Sequence, residues 1–456
     1  TLGVITEVTL RLYAVPSVDR TFAVVLDGSE REMASLIRGI ITSPLAPYAV
    51  FLLNSSAARA VGATSARSRS PASISPVSTE AVVSAIRESA STHTPLRVAG
   101  RSTWLDAGRP VRADKTLSLH DDSGVVSYVP GDLTLTVRAG TSLSEIERVT
   151  GEHDQWLPLD PYGSGEGTIG ATMATASAGP LASSFGLPRD LLLGLEFVNG
   201  RGDVVRGGGK VVKNVAGFDL SRLLTGAWGT LGVITEVTLR LYAVPSVDRT
   251  FAVVLDGSER EMASLIRGII TSPLAPYALF LLNSSAARAV GLGEQPVCLI
   301  RFGGNDAVVR AQINVLSQIG QPEETENAVW LRVRQLDGNA HTTIRVVSLP
   351  QRFLAASAGI LSEDVSGIDT CIDPRRGVLR LIVGAGGEDG DRGISAIGAS
   401  QDLQKNGANA SDVIFEKLPA EVWREVSPSV VSDDLSRGIK RAFDPHHILN
   451  PGILGD

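Results

Sequence analysis

The sequence predicts an α+β fold in more than one domain. Three observations predict it: segments with apolar residues at every second position are mixed with segments of helical period, the mixture follows no strict strand–helix alternation, and the same kind of pattern restarts near residue 249. Ser78 stands where it can cap a helix whose apolar residues Val82, Val83 and Ile86 share one face. A strand over 95–99 follows and ends in a turn at Gly100. Residues 133–138, LTLTVR, alternate with period two and predict a half-buried strand. Ser142 with Glu145 makes a capping box for a helix from Leu143 to about His153. Beyond a loop rich in Pro and Gly and a stretch of small residues, strands are expected over 195–198, 204–205 and 237–241. A strand at 251–255, a helix near 258–270 and a strand near 277–282 then open a second α+β domain.

Residues 1–62 repeat residues 230–291 at 61 of 62 positions, the one difference being Val50 against Leu279. Structural repeats keep a pattern while surface positions drift, whereas this pair keeps even residues such as Arg20 and Arg249 unchanged. The copy starts inside an expected strand and stops inside an expected helix. A fold has one place for that strand, and the second copy fills it in natural order, so residues 1–62 are expected to be a surplus fragment. A truncated tandem duplication or a sequence-assembly error accounts for such a fragment; a swapped strand or partner surface is the functional alternative. Residues 63–78, ATSARSRSPASISPVS, lack an apolar period and read as a linker.

With 456 residues and 43% apolar content the chain can bury more than one core. A net charge of -7 offers no reservoir for neutralising phosphates, so nucleic acid is not an expected partner. Cys298 and Cys371 lie far apart and form no C-x-x-C, which excludes a cysteine-ligated iron–sulfur cluster built by this chain alone. A reducing, cytoplasmic setting fits that cysteine usage. There is no continuous apolar run of about 18 residues and no charged-then-apolar leader, so direct membrane insertion and a secretory signal are not expected.

Two loops have the composition of a ligand cradle. In LRVAGRSTW, residues 96–104, a strand runs into a turn of small residues. A diphosphate needs several main-chain N–H donors converging on it, and small residues let the chain come close enough to provide them. Gly100, Arg101, Ser102, Thr103 and Trp104 are the candidates, although an ordinary tight turn has the same composition. In GEGTIGATMATASAGP, residues 165–180, thirteen of sixteen residues are Gly, Ala, Ser, Thr or Pro, too many for an ordinary core helix. Such a stretch suits a backbone lying against a flat or extended ligand, with Thr168, Thr175 and Ser177 as hydroxyl donors; a small-residue helix packed closely on another element is the competing reading.

These loops continue into GLPRDLLLG (186–194), GGGKVVKNVAGFDL (207–220) and SRLLTGAWGTLGVITE (221–236). The succession resembles the FAD-binding domain of the vanillyl-alcohol oxidase / p-cresol methylhydroxylase (PCMH) superfamily. The run KNVAGFDLSRL, residues 213–223, narrows the likeness to glycolate oxidase FAD-binding (E) subunits, and FDPHHILNPG, residues 443–452, is similar to the closing segment of the superfamily. The resemblance implies a PCMH-type FAD-binding domain of two α+β subdomains over 79–243, a smaller α+β cap over 244–440, and a segment 441–456 that returns to the FAD domain. It implies that residues 100–104 cradle the pyrophosphate. Residues 168–179, among them Thr168, Ile169, Gly170, Ala171, Thr175, Ser177 and Gly179, would lie along the ribityl chain and flavin. Gly232, Val233 and Ile234 would meet the isoalloxazine or adenosine part through the backbone, with Asp190, Lys213 and Asn214 also at the cofactor. The first loop contains no His or Cys, so the implied FAD is non-covalent. Two positions depart from the superfamily's pattern: Ser102 stands where Gly is frequent, and Ala171 follows Gly170 where a second Gly is frequent.

The implied activity is FAD-dependent oxidation of a small 2-hydroxy acid, glycolate by resemblance, in one subunit of a complex. A second flavoprotein subunit and an iron–sulfur subunit are the implied partners, and any attachment to the inner membrane would come through them. No catalytic residue and no metal ligand set is assigned. A substrate carboxylate needs a bidentate cation, for which Arg345 is a candidate beside its plainer reading as a surface arginine. The alternatives are a non-catalytic FAD-carrying or scaffolding subunit, favoured by the missing acid–base histidines, and a stand-alone sugar or alcohol oxidase of the same superfamily. Other signals fall away. Residues 384–387, GAGG, fail the spacing of a dinucleotide turn. Asp337-Gly338-Asn339-Ala340-His341 offers one histidine with no H-x-H companion, and His446 and His447 read as turn residues. No Ser-His-Asp arrangement, paired-carboxylate motif or Walker loop stands out.

Overall fold

A computed structural model of the chain describes residues 11–14, 21–25, 49–52, 72–163, 165–209, 219–338, 340–362, 367–384, 412–420, 422–424, 426 and 433–455. The chain divides into two compact units, residues 1–71 and residues 72–456. In the first, Arg11–Ala14 pairs antiparallel with Thr21–Val25, which runs parallel to Ala49–Leu52.

The second unit opens with a parallel three-stranded sheet in the order Ala72–Ile74, Lys115–Ser118, Leu96–Ala99. Residues 72–74 were expected in the linker, yet they pair with Lys115–Ser118 through Ala72↔Lys115 and Ile74↔Leu117. Three residues between Pro and Ser are too few to show a period, so the sheet, not the local pattern, makes this strand. Helix Thr79–Thr92 starts where Ser78 predicts it: the Ser78 hydroxyl accepts from the Ala81 N–H, and Val82 and Ile86 are buried.

The next sheet has five antiparallel strands in the order Val204–Gly208, Leu192–Val198, Val233–Arg240, Thr134–Arg138, Val125–Val129. Thr134–Arg138 is not half-buried as its alternation suggested, because Leu135, Thr136 and Val137 are all buried. The polar face is covered as well, and Thr136 meets the Thr238 hydroxyl at 3.0 Å on the neighbouring strand. On the same sheet the carboxylate of Glu196 accepts from Thr79 and Thr235 at 2.9 Å each and from Arg206. Burial alone would push its pKa up; the hydrogen bonds from Arg206, Thr79 and Thr235 outweigh that and lower it. Helix Leu143–Gly151 is capped by Ser142, but the predicted box is half formed, since the Glu145 carboxylate turns to Arg148 instead.

Besides a two-stranded pairing of Gln155–Trp156 with Tyr242–Ala243, there is a sheet of eight strands in the order Pro322–Thr325, Val247–Val254, Val297–Gly304, Ala278–Leu282, Asp369–Asp373, Val378–Gly384, Ala340–Val347, Asp412–Lys417. It is larger than either earlier sheet, and helices Glu259–Thr271 and Pro350–Ser362 cover a core containing Phe251, Ile300, Phe302 and Phe353. Cys298 and Cys371 are buried here as free thiols, and burial pushes both pKa values up. The closing segment returns to the parallel sheet: the Leu96 N–H donates to Ile448 O at 2.7 Å, and the Asn450 N–H to Leu96 O at 2.9 Å. Among the described residues no helix is long and apolar enough to cross a membrane.

Candidate cofactor site

The two small-residue loops meet at the end of Leu96–Ala99. Any Cβ on Gly100 would collide with the Thr168 hydroxyl, which caps helix Ile169–Thr175 by accepting from the Ala171 N–H. Two residues on, a Cβ on Gly170 would lie 2.6 Å from the Ala139 side chain. Glycine is therefore required at both points for the loops and the sheet to approach. The two readings of residues 165–180 merge in this arrangement. Ile169 and Met173 pack into the core, while Gly170, Ala171, Thr175 and Ser177 line a cavity.

That cavity is also lined by Gly100, Arg101, Ser102, Thr103 and Trp104 from the first loop, by Thr168, and by Gly232 and Ile234 from the segment entering Val233–Arg240. Among the described residues, the main-chain N–H groups of Arg101, Ser102 and Thr103 have no acceptor within the protein. Ser102 has φ 60, the left-handed region that glycine occupies without strain, which gives a physical reason for the glycine frequent there in the superfamily. Arg101 pairs with Glu166 at 2.9 Å on the exposed rim.

Other expected residues stand elsewhere. Ile169 and Val233 face the core, because the strand and helix that place their neighbours on the cavity turn these two side chains inward. Gly179 packs against the Asp160 carbonyl. Asp190 accepts from the Leu187 N–H at 2.8 Å, so it fastens the start of helix Pro188–Leu191 and does not reach the cavity. Lys213 and Asn214 lie outside the described residues.

The structure adds cavity residues that the sequence did not single out. Trp228 stacks on Trp104 with ring centroids 5.8 Å apart. Asn450 ties the walls together: its Oδ1 accepts from the Val98 N–H and its Nδ2 donates to Trp228 O, both at 2.7 Å. Asn450 was visible within the closing motif, but its role depends on partners 352 and 222 residues away. Tyr162 also lines the cavity, and the Arg380 guanidinium lies 3.7 Å from its ring centroid.

Behind Tyr162 is a buried charge cluster. Arg380 pairs with Glu416 at 2.6 Å and stands 3.6 Å from Asp337. Burial pushes the Arg380 pKa down, but Glu416, Tyr162 and Asp337 raise it by more, so the guanidinium stays charged. The Tyr162 phenol is pushed up by burial and keeps its proton. Arg345, a candidate for an open substrate cation, instead pairs with Glu416 at 2.7 Å. It sits on the strand next to Arg380, in the register Arg345↔Arg380, where one buried carboxylate draws both cations.

Residues 71–208 match the FAD binding domain family, and residues 424–454 match the C-terminal domain of FAD linked oxidases. The chain is 39% identical over 168 residues to the glycolate oxidase subunit GlcE of Escherichia coli (strain K12), an alignment covering 36% of this chain and 47% of that protein. The chain thus spans about half the length of that relative. It is 24% identical over 396 residues to the glycolate oxidase subunit GlcD of Bacillus subtilis (strain 168), covering 79% and 83% of the two chains. A crystal structure of p-cresol methylhydroxylase with substrate bound shares the fold with a TM-score of 0.63 at 16% identity, covering 84% of this chain and 88% of that one. The first loop, whose residues line a cavity walled by the small-residue helix and keep main-chain donors without a partner in the protein, fits a dinucleotide's diphosphate. Two stretches of the chain thus match families of FAD-linked oxidases, its fold is that of p-cresol methylhydroxylase, and its cofactor is FAD.

Proposed function

We propose that this chain is an FAD-dependent oxidoreductase subunit that oxidises a small 2-hydroxy acid, glycolate to glyoxylate, within a multi-subunit complex. The observation that carries the cofactor half of this reading is the set of free N–H groups at Arg101, Ser102 and Thr103 on the cavity wall. In this reading those donors hold the diphosphate, Ala171, Thr175 and Ser177 lie along the rest of the cofactor, and no covalent bond is made. Residues 79–243 form the cofactor domain with strand 72–74 added, 244–440 the cap, and 441–456 the returning segment. When bound, FAD supplies the two-electron acceptor for the hydride lost from the α-carbon. The assignment to glycolate rests on the GlcE and GlcD likenesses. A second flavoprotein subunit and an iron–sulfur subunit then carry electrons away, and they provide any contact with the inner membrane from the cytoplasm.

One observation favours a second reading, an FAD-carrying subunit whose partner does the chemistry. Among the described residues, the arginines lining the cavity are already engaged: Arg97 with Leu105 O and Arg101 with Glu166. Anaerobic mixing of the purified flavoprotein with glycolate or D-lactate separates the two. Bleaching of the flavin absorbance by substrate alone is the expected result; a bound flavin that no 2-hydroxy acid reduces supports the carrier.

A further inference from the structure

We infer that the second domain sets the affinity for FAD, through two positioning residues that do not touch the cavity: Lys417 at the end of an edge strand of the eight-stranded sheet and Asp337 in the turn before strand Ala340–Val347. The inference rests on the proposed reading that residues 100–104 hold the diphosphate. Arg101, Ser102 and Thr103 are exposed and their main-chain N–H groups have no acceptor within the protein, so the loop's geometry depends on what holds its ends. The structure shows what does so. The Trp104 indole N–H donates to Asp337 Oδ2 at 3.0 Å. Two residues on, Asp106 pairs with Lys417 Nζ at 2.9 Å, and the Gly108 N–H donates to Glu416 O at 2.8 Å.

These anchors are one cluster. Lys417 Nζ also donates to the main-chain O of Asp337 at 2.8 Å, and the other Asp337 oxygen accepts from Thr343 and faces Arg380. Asp337 is fully buried and Lys417 is 2% exposed, so neither can trade these partners for water. From Trp104 the contact passes by stacking to Trp228, whose carbonyl is held by Asn450. One side of the diphosphate loop is therefore fixed by the second domain and the other by the closing segment. A loop held in its bound shape binds more tightly because less ordering remains to be done.

The test is titration of the apoprotein with FAD, followed by flavin fluorescence, on chains whose fold is checked by circular dichroism and thermal melting. Trp104→Phe keeps an aromatic ring and removes the donor; Asp337→Ala removes the acceptor. Each should weaken FAD binding roughly tenfold, the scale on which supporting partners act on a bound group. The double variant should be no weaker than the more affected single one, since both act through one hydrogen bond. If Asp337→Ala does not fold, Trp104→Phe decides alone. Ser102→Glu separates this inference from the reading beneath it, because a carboxylate in the loop repels a diphosphate. Undiminished binding by Ser102→Glu would overturn both the loop reading and the inference. Lost binding there, with Trp104→Phe binding as tightly as the unaltered chain, would overturn the inference alone.

Discussion

Two stretches that differ at one residue make different sheets. Within residues 1–71, Thr21–Val25 lies directly beside Ala49–Leu52, with Thr21↔Ala49 and Phe22↔Val50. In the complete copy the equivalent strands, Val247–Val254 and Ala278–Leu282, are separated by Val297–Gly304, where Arg301 opposes both Thr250 and Ala278 and Ile300 opposes both Phe251 and Leu279. Two strands that are each antiparallel to a third are parallel to one another. The fragment ends before the middle strand, and the two outer strands close up in the register that strand had defined. The strand just before them diverges too. Arg11–Ala14 folds back on Thr21–Val25, whereas Arg240 pairs with Thr134 and Tyr242 with Trp156 in the cofactor half. Strand formation is thus written in the local sequence, and the choice of partner is supplied by the rest of the chain.

The largest test of this contrast is a matched pair of substitutions. Phe251 is buried and stands 6.1 Å, ring to ring, from Phe302 on the strand that the fragment lacks. Phe251→Ala should destabilise the 72–456 unit by about 3–5 kcal/mol, while Phe22→Ala should leave its denaturant unfolding unchanged. Equal losses from the two would mean that the fragment shares the folding of the main unit.

A smaller effect sharpens the same contrast through pH. Asp160 lies near Arg301, the residue that sits between the two outer strands only in the complete copy. Burial raises the Asp160 pKa from 3.8 to about 6, against the pull of Arg334, the Leu181 N–H and Arg301. Because the folded chain binds this proton more tightly than the unfolded chain, ionising Asp160 weakens the fold. The penalty is complete above about pH 6 and disappears as the pH falls towards 4. Asp160→Asn should therefore gain on the unaltered protein by about 2 kcal/mol between pH 4.5 and pH 7.5. A pH-independent difference in urea unfolding would contradict the assignment.

The same division between local and distant information separates what the sequence disclosed from what it did not. Ser78 and Ser142 marked helix starts because a cap is satisfied within three residues. The meeting of the two small-residue loops was legible because close approach demands small side chains, as Gly100 against Thr168 and Gly170 against Ala139 show. Asp190 misled because a carboxylate beside a helix start has the same local signature whether it caps or binds. The exposure of Thr134–Arg138 was misjudged because alternation records polarity, and a buried threonine can be satisfied by another across the sheet. Trp228, Asn450, Asp337 and the pairing of Arg345 with Glu416 were not legible, since each role is fixed by contacts between segments remote in sequence.

The most direct test of the account compares residues 72–456 with the full chain, each purified and assayed for bound flavin. The account predicts one FAD per chain in both, released intact into the supernatant when the protein is denatured with acid. A colourless 72–456 that takes up no FAD, or a flavin that stays attached to the denatured polypeptide, would contradict it.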